Sequence, residues 1–296
     1  MPSVPHTQTK QENAAPSRGW RFFRVIRRLY ARPASALGTS IFIIFLFLAI
    51  IGPLVTPYTT TEQIYSDAFQ SPSSAHWFGT DNLGRDVFSR VIAGAREILV
   101  LAGLGTLISV VTGTIIGLLS GYRGGWFDEL IMRFFDSLLA LPAMLLALLL
   151  LGTLGPSTNS ILIVIVVVYT PIVARVTRSV VLEVKNKAYV EAARLQGESL
   201  PHIVFGEILP PVLPTLAVES ALRFSYAIFL VASLGFLGVG VQPPNPNWGL
   251  MVKETRNYVS QMPWALYFPV IAISLTVIGI NLMADGLKEL FGVGTQ

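Results

Sequence analysis

Residues 98–120 read ILVLAGLGTLISVVTGTIIGLLS, an apolar run without a single charged side chain. At 1.5 Å per residue such a stretch rises about 35 Å as a helix, and the hydrocarbon of a bilayer is about 30 Å thick. It predicts a transmembrane helix. Four further stretches are long and apolar enough to span: Leu37–Val55, Ser137–Leu154, Val212–Leu234 and Trp264–Met283. A sixth, Ile161–Ala174, is shorter and apolar apart from Tyr169 and Thr170, with no proline before Pro171. Its Val/Ile content would suit a buried strand in a soluble protein. Among five neighbouring spans a helix is the better reading, because lipid obliges each backbone group to bond within its own segment. The predicted fold class is an all-α membrane protein with six transmembrane helices.

Composition agrees. Of 296 residues, 52% are apolar and 13% charged, against about 25% charged in ordinary globular chains. So little charge cannot cover a surface in water, so lipid is the solvent for much of it. There is no cysteine, which excludes a disulfide framework and any thiolate-ligated metal. Residues 1–17 are polar, proline-rich and aperiodic, and read as a disordered cytoplasmic tail. In residues 18–36 basic and aromatic side chains interleave from Arg18 to Tyr30. Just ahead of a hydrophobic span, this segment fits an anionic membrane face better than nucleic acid. Residues 37–55 outrun the apolar core of a signal peptide and no small-x-small cleavage site follows, so they read as a retained first helix.

Lys/Arg placement orients the six spans. With the N-terminus inside, 15 of the 21 basic side chains fall on the inner side and 5 on the outer, with Arg223 inside the fifth span. This predicts a multi-pass protein of the cell (inner) membrane with both termini cytoplasmic. Residues 56–97 and 238–263 are then external, and 175–211 is the largest internal loop.

That loop contains Tyr189-Val-Glu-Ala-Ala-Arg-Leu-Gln-Gly197 and, further on, Ile208-Leu-Pro210. Tyr189–Gln196 holds good helix formers, two small alanines that admit a close partner, and a glycine suited to ending the helix. Ser199 can cap a second short helix. A helical corner projecting from the inner face gives a cytosolic motor something to push on; the plainer alternative is an amphipathic connector between spans. On the outer side, Leu83, Val87 and Val91 recur at helical spacing, opposite Arg85, Asp86, Ser89 and Arg90. The pattern predicts an amphipathic interfacial helix, capped by Asp81, with Asp86 and Arg90 pairing across a turn. It either braces the second span or contacts a delivery protein. Gln242–Trp248 is too rich in proline for a helix, and Trp248 suits the headgroup layer.

These stretches also carry a resemblance. Glu191-Ala192-Ala193, Gly197 and Ile208-Leu209-Pro210 match the EAA signature of ABC import permeases. Phe78–Arg90, Leu234–Gly249 and Asn281–Leu287 are similar to hallmarks of the second permease subunit of dipeptide, oligopeptide and nickel importers. The resemblance runs from the first span to the C-terminus. It implies a five-helix type I permease core over 98–290 with an extra N-terminal helix, 37–55. It further implies a heterodimer with a homologous permease, two cytosolic ATP-binding subunits that hold ATP and Mg, and an external solute-binding protein. The coupling residues it implies are Tyr189, Glu191, Ala192, Ala193 and Gly197. The expected cargo is a di- or oligopeptide, with nickel, glutathione or antimicrobial peptides as alternatives. Relatives carry an acidic residue shortly before Leu-Gly-Phe-Leu; here Leu230-Val231 stands in its place, so no rule for holding a peptide amine carries over.

Glu219 and Arg223 lie four apart inside the fifth span, where charge is costly and faces a bundle interior or an aqueous path. They read as a structural ion pair or as lining of the translocation path. Pro142, Pro171 and Pro269 fall inside spans and invite kinks. No G-x-x-x-x-G-K-[ST] occurs, the three histidines are scattered, and no nucleophile–base set is visible. The chain is therefore read as no enzyme, with no metal or cofactor of its own and no nucleic-acid partner. A secondary transporter or channel, the reading from another class, leaves the internal loop unexplained.

Overall fold

The computed structural model describes residues 26–293; the predicted tail 1–17 and residues 18–25 of the basic segment lie outside them. Helix α1, Pro33–Val55, opens on a proline in its first turn, where a missing N–H costs no helical bond. It crosses α9, Pro263–Phe291, at two glycines: a Cβ on Gly38 would stand 2.6 Å from the Gly279 carbonyl oxygen. Helix α2, Val87–Arg123, is 37 residues long, about 55 Å, so it overshoots the bilayer at one or both ends.

The principal partner of α2 is α5, Thr158–Val184. Gly105, Ser109, Gly113, Gly117 and Gly121 form a stripe with a period of four along α2. A Cβ on Gly105 would meet Ile165 at 2.6 Å, on Gly113 Val173 at 2.7 Å, and on Gly117 the Ala174 carbonyl oxygen at 2.5 Å. Small residues let the two backbones approach closely where no hydrophobic effect drives helices together. Ser109 donates to its own Gly105 carbonyl at 2.7 Å, and Thr112 and Thr170 hydroxyls meet across the pair at 3.1 Å.

The predicted third span, Ser137–Leu154, is not one straight helix. Helix α3, Gly125–Leu139, and α4, Ala143–Leu154, meet at 91°. Pro142 is the cause: it lacks an N–H and takes φ −54°, ψ 130°, ending one helix and starting the next rather than kinking a continuous one. At 12 residues α4 reaches only about 18 Å, so it needs α3 to complete a crossing. The predicted sixth segment, Ile161–Ala174, lies wholly inside α5, a helix as expected.

After α5 the chain makes α6, Ala188–Leu195, a π-helical turn, His202–Ile208, and α7, Leu209–Leu237. Pro210 and Pro211 supply no N–H to the carbonyls four residues back, and the preceding turn widens so that the Leu209 N–H reaches Val204, five back. Helix α8, Trp248–Thr255, sits between α7 and α9. Among the described residues five helices are long and apolar enough to span, and the bent α3–α4 pair is a sixth candidate. Their buried apolar side chains form one large core and a smaller one at the Arg123 end of α2, under the 175–211 loop.

Candidate functional site

The smaller core fixes the 175–211 loop. Val190 and Ala193 turn inward from α6 onto Val181 and Val184 of α5, and Ile203, Val204 and Ile208 close over them beside Leu118 of α2. The rest of α6 is bare: Tyr189, Glu191 and Ala192 are exposed. The two alanines of the motif therefore differ, since Ala192 lies on the open face and Ala193 packs inside. Gly197 ends the helix at φ +77°, with its N–H on Arg194 at 3.1 Å and the Glu198 N–H on Ala193 at 3.2 Å. A Cβ there would meet nothing within 4 Å, so the position asks for a left-handed φ and not for room. Ser199 contributes its carbonyl to the Ile203 N–H at 3.0 Å; its hydroxyl makes no capping bond, contrary to expectation.

On either side of the turn a leucine stands bare among polar neighbours. Leu195 is 84% exposed and Leu200 54%. Leu195 stands inside the Tyr189–Gly197 stretch and Leu200 just after it, but neither is one of its Glu-Ala-Ala or glycine positions, and only their place on a short polar helix and its following turn could have singled them out. The knuckle is braced at its base: Arg194 stacks 4.8 Å over the Tyr122 ring and the Lys185 ammonium donates to the Gly121 carbonyl at 2.8 Å. Arg178 holds Asp128 through two bonds of 2.6 Å, and Arg175 pairs with Asp136, tying α5 to α3. The loop, α2, α3 and α5 thus form one mechanically continuous unit.

Glu219 and Arg223 do pair on α7, as the spacing predicts. Nε stands 2.9 Å from Oε1, off the line a hydrogen bond needs, and the two side chains are 12% and 13% exposed. The guanidinium also lies 4.9 Å over the half-exposed Tyr226 ring and 6.0 Å from buried Tyr169. Arg223 is thereby held from two sides, and Glu219 from one.

At the opposite end of α2 the expected amphipathic helix is replaced by a buried polar knot. The helix starts at Val87, capped by Asp86, whose Oδ2 accepts from the Ser89 N–H at 2.8 Å. Asp81 instead organises the turn before it, accepting from Leu83 and Arg85 N–H groups and from Arg85 Nε at 2.6 Å. The predicted Asp86–Arg90 pair does not form: Asp86 binds His76 at 2.9 Å, while Arg90 donates to the Thr60 carbonyl at 2.9 Å. Arg85 reaches Glu254 of α8 at 2.6 Å, with Arg90 3.5 Å away. Arg85, Asp86, Ser89 and Arg90 are all buried, because the 56–85 segment and α8 cover the face that alternation alone assigned to water. Opposed charges in contact make that burial tolerable. Trp248 is likewise no headgroup anchor: it is wholly buried, donates to the Val91 carbonyl at 2.8 Å, and fills the notch left by Gly94. Among the described residues no group of His, Cys, Asp and Glu could hold a metal.

Comparison with known proteins gives this geometry its setting. The family described as binding-protein-dependent transport system inner membrane component matches residues 113–293, and the N-terminal TM domain of oligopeptide transport permease C matches residues 21–72. The chain is 37% identical over 289 residues to the dipeptide transport system permease protein DppC of Alkalihalophilus pseudofirmus, covering 98% of this chain and 94% of that one. It is 39% identical to the di/tripeptide transport system permease protein DppC of Pseudomonas aeruginosa, over 88% of each chain. It is 37% identical to the glutathione transport system permease protein GsiD of Pectobacterium atrosepticum, over 91% and 89%. A bundle of membrane-crossing helices, a braced knuckle between α5 and α7 and these matches along the whole chain agree: the protein belongs to the family of inner membrane components of binding-protein-dependent transport systems, as a type I permease with an added N-terminal helix.

Proposed function

We propose that this chain is the second of two permease subunits in an ATP-driven importer of di- or oligopeptides, and that the knuckle Ala188–Leu200 receives the stroke of a cytosolic ATPase. The relatives named for dipeptide transport support the cargo. The observation that carries the mechanical reading is the exposed apolar pair Leu195 and Leu200 on a corner rigidly tied to α2 and α5. Exposed leucines on a water-facing corner are unfavourable alone and favourable against a partner groove. Tyr189, Glu191 and Ala192 flank that contact, Ala193 anchors it, and Gly197 sets the angle of the corner. ATP and Mg belong to the two ATPase subunits; a homologous permease and an external binding protein complete the assembly. Both termini and the knuckle lie on the cytoplasmic side, supported by the Lys/Arg bias.

Replacing Gly197 tests this. Gly197→Asp puts a charged side chain at a left-handed φ on the contact itself. The subunit should insert and pair with its sister permease, the ATPases should dissociate more readily, and ATP-dependent peptide uptake should fall at least tenfold. Uptake equal to the parent would reduce the loop to a connector.

A further inference from the structure

We propose a specific phospholipid site at the Arg96 end of α2, opposite the knuckle, selective for a headgroup that carries a phosphate and a primary ammonium. The proposal rests on α2 crossing the bilayer and not on the coupling role of the knuckle.

Two clefts flank one ridge. The larger, about 730 Å³, has Thr59, Thr60 and Glu97 at its rim and Leu101, Leu104 and Leu162 in its wall. The smaller, about 320 Å³, is walled by Phe42, Leu46, Ala49 and Phe224. Arg96 and Val100, one turn apart on α2, line both. Among the described residues Arg96 and Glu97 make no hydrogen bond or ion pair within the chain; the nearby cation Arg90 is committed to Thr60 and Glu254. Arg96 and Glu97, the latter also in the field of Arg90 but bonded to nothing, thus stand side by side above two apolar slots.

Depth makes the occupant a lipid. The uncharged run 98–120 begins one residue after Glu97 and is about as long as the hydrocarbon is thick, which sets Arg96 and Glu97 at the headgroup layer. Val100 and Leu104 are about half exposed and descend from there along the acyl-chain region. A diacyl lipid fits this plan part by part. Its phosphate meets the Arg96 guanidinium, its chains straddle Val100, and its ammonium reaches Glu97. A glycerol headgroup offers Glu97 no cation, and a trimethylammonium offers it no N–H to donate. A free peptide would satisfy the charges but would leave both apolar slots facing the membrane.

The test uses the intact transport complex, extracted from a membrane of phosphatidylethanolamine and phosphatidylglycerol and washed in mild detergent, with retained lipid counted by mass spectrometry. The parent should hold ethanolamine lipid at about three times its bulk ratio, the preference that one charge pair at a wet edge confers. Glu97→Gln should return the ratio to bulk with the lipid count unchanged; Arg96→Gln should lose about one bound phospholipid per complex. A bulk ratio in the parent, or an unchanged ratio in Glu97→Gln, overturns the proposal. So does release of the lipid by excess dipeptide, which would assign the charges to solute. If a variant does not assemble, the parent alone decides in phosphatidylcholine–phosphatidylglycerol discs. Its unfolding midpoint should rise as ethanolamine lipid replaces choline lipid, and an unmoved midpoint refutes the site.

Discussion

Removing Arg223 strands Glu219 in the middle of α7, and the structure sets how costly that is. If the span enters lipid near Val212, Glu219 lies about 10 Å deep and Arg223 about 16 Å deep. Two unit charges 2.9 Å apart attract by about 6 kcal/mol at an effective dielectric of 20. An uncompensated charge near the bilayer centre costs at least about 2.5 kcal/mol. Each single neutral variant should therefore lose stability, while Glu219→Gln/Arg223→Gln recovers part of it, because no lone charge remains. The singles should also differ. Glu219→Gln leaves Arg223 cushioned by the Tyr226 and Tyr169 rings, worth about 1 kcal/mol or more together. Arg223→Gln leaves Glu219 with nothing. The expected losses are about 2 and about 4 kcal/mol, with a coupling energy above 2 kcal/mol, read as unfolding free energies of the assembled complex. Peptide uptake is measured in parallel. Recovery of assembly with normal peptide selectivity in the double variant makes the pair structural; intact assembly with shifted selectivity places it on the path. Effects additive within about 0.5 kcal/mol would show that the two side chains do not interact and refute the reasoning.

Two further outcomes follow from the architecture. Cysteines placed singly at Asn186 and Asn257 of this cysteine-free chain should differ toward an impermeant thiol reagent on intact cells, with only position 257 labelled; strong labelling at 186 would invert the orientation. Gly117→Val would force a Cβ to within 2.5 Å of the Ala174 carbonyl oxygen, so α2 and α5 must part. The complex should lose about 1–3 kcal/mol of stability in a denaturant titration, and an unchanged midpoint would mean the glycine stripe is not a packing seam.

What the sequence disclosed, and what it hid, follows from which interactions are local. Apolar length is a local property, so α1, α2, α5, α7 and α9 stand close to their expected places, and Glu219 and Arg223 meet because four residues on one helix fix their spacing. Gly197 was legible for the same reason: a glycine after a run of helix formers stops a helix. The break at Pro142 was visible as a proline, but whether a proline kinks or ends a span depends on the helices it packs against. The buried knot around Arg85 and Arg90 depends on Glu254, 169 residues away from Arg85, and Trp248 on Val91, 157 residues away. No periodicity reveals a cover supplied from so far along the chain. The stripe from Gly105 to Gly121 was the signal passed over, since small residues every four positions in an apolar run are readable and point to a close helix crossing.

Leu195 offers the most direct trial of the central claim, that the exposed knuckle is where an ATPase grips this permease. With a cysteine at that position as the chain's only thiol, a short bifunctional reagent carrying a photoreactive arm should capture the ATPase subunit in membranes holding the complete transporter. The yield should change at least severalfold between ATP-loaded and nucleotide-free states, while a cysteine at Arg123, at the base of the loop, should give far less product. Equal capture at the two positions, or capture at Leu195 of the sister permease and never of the ATPase, would contradict the account.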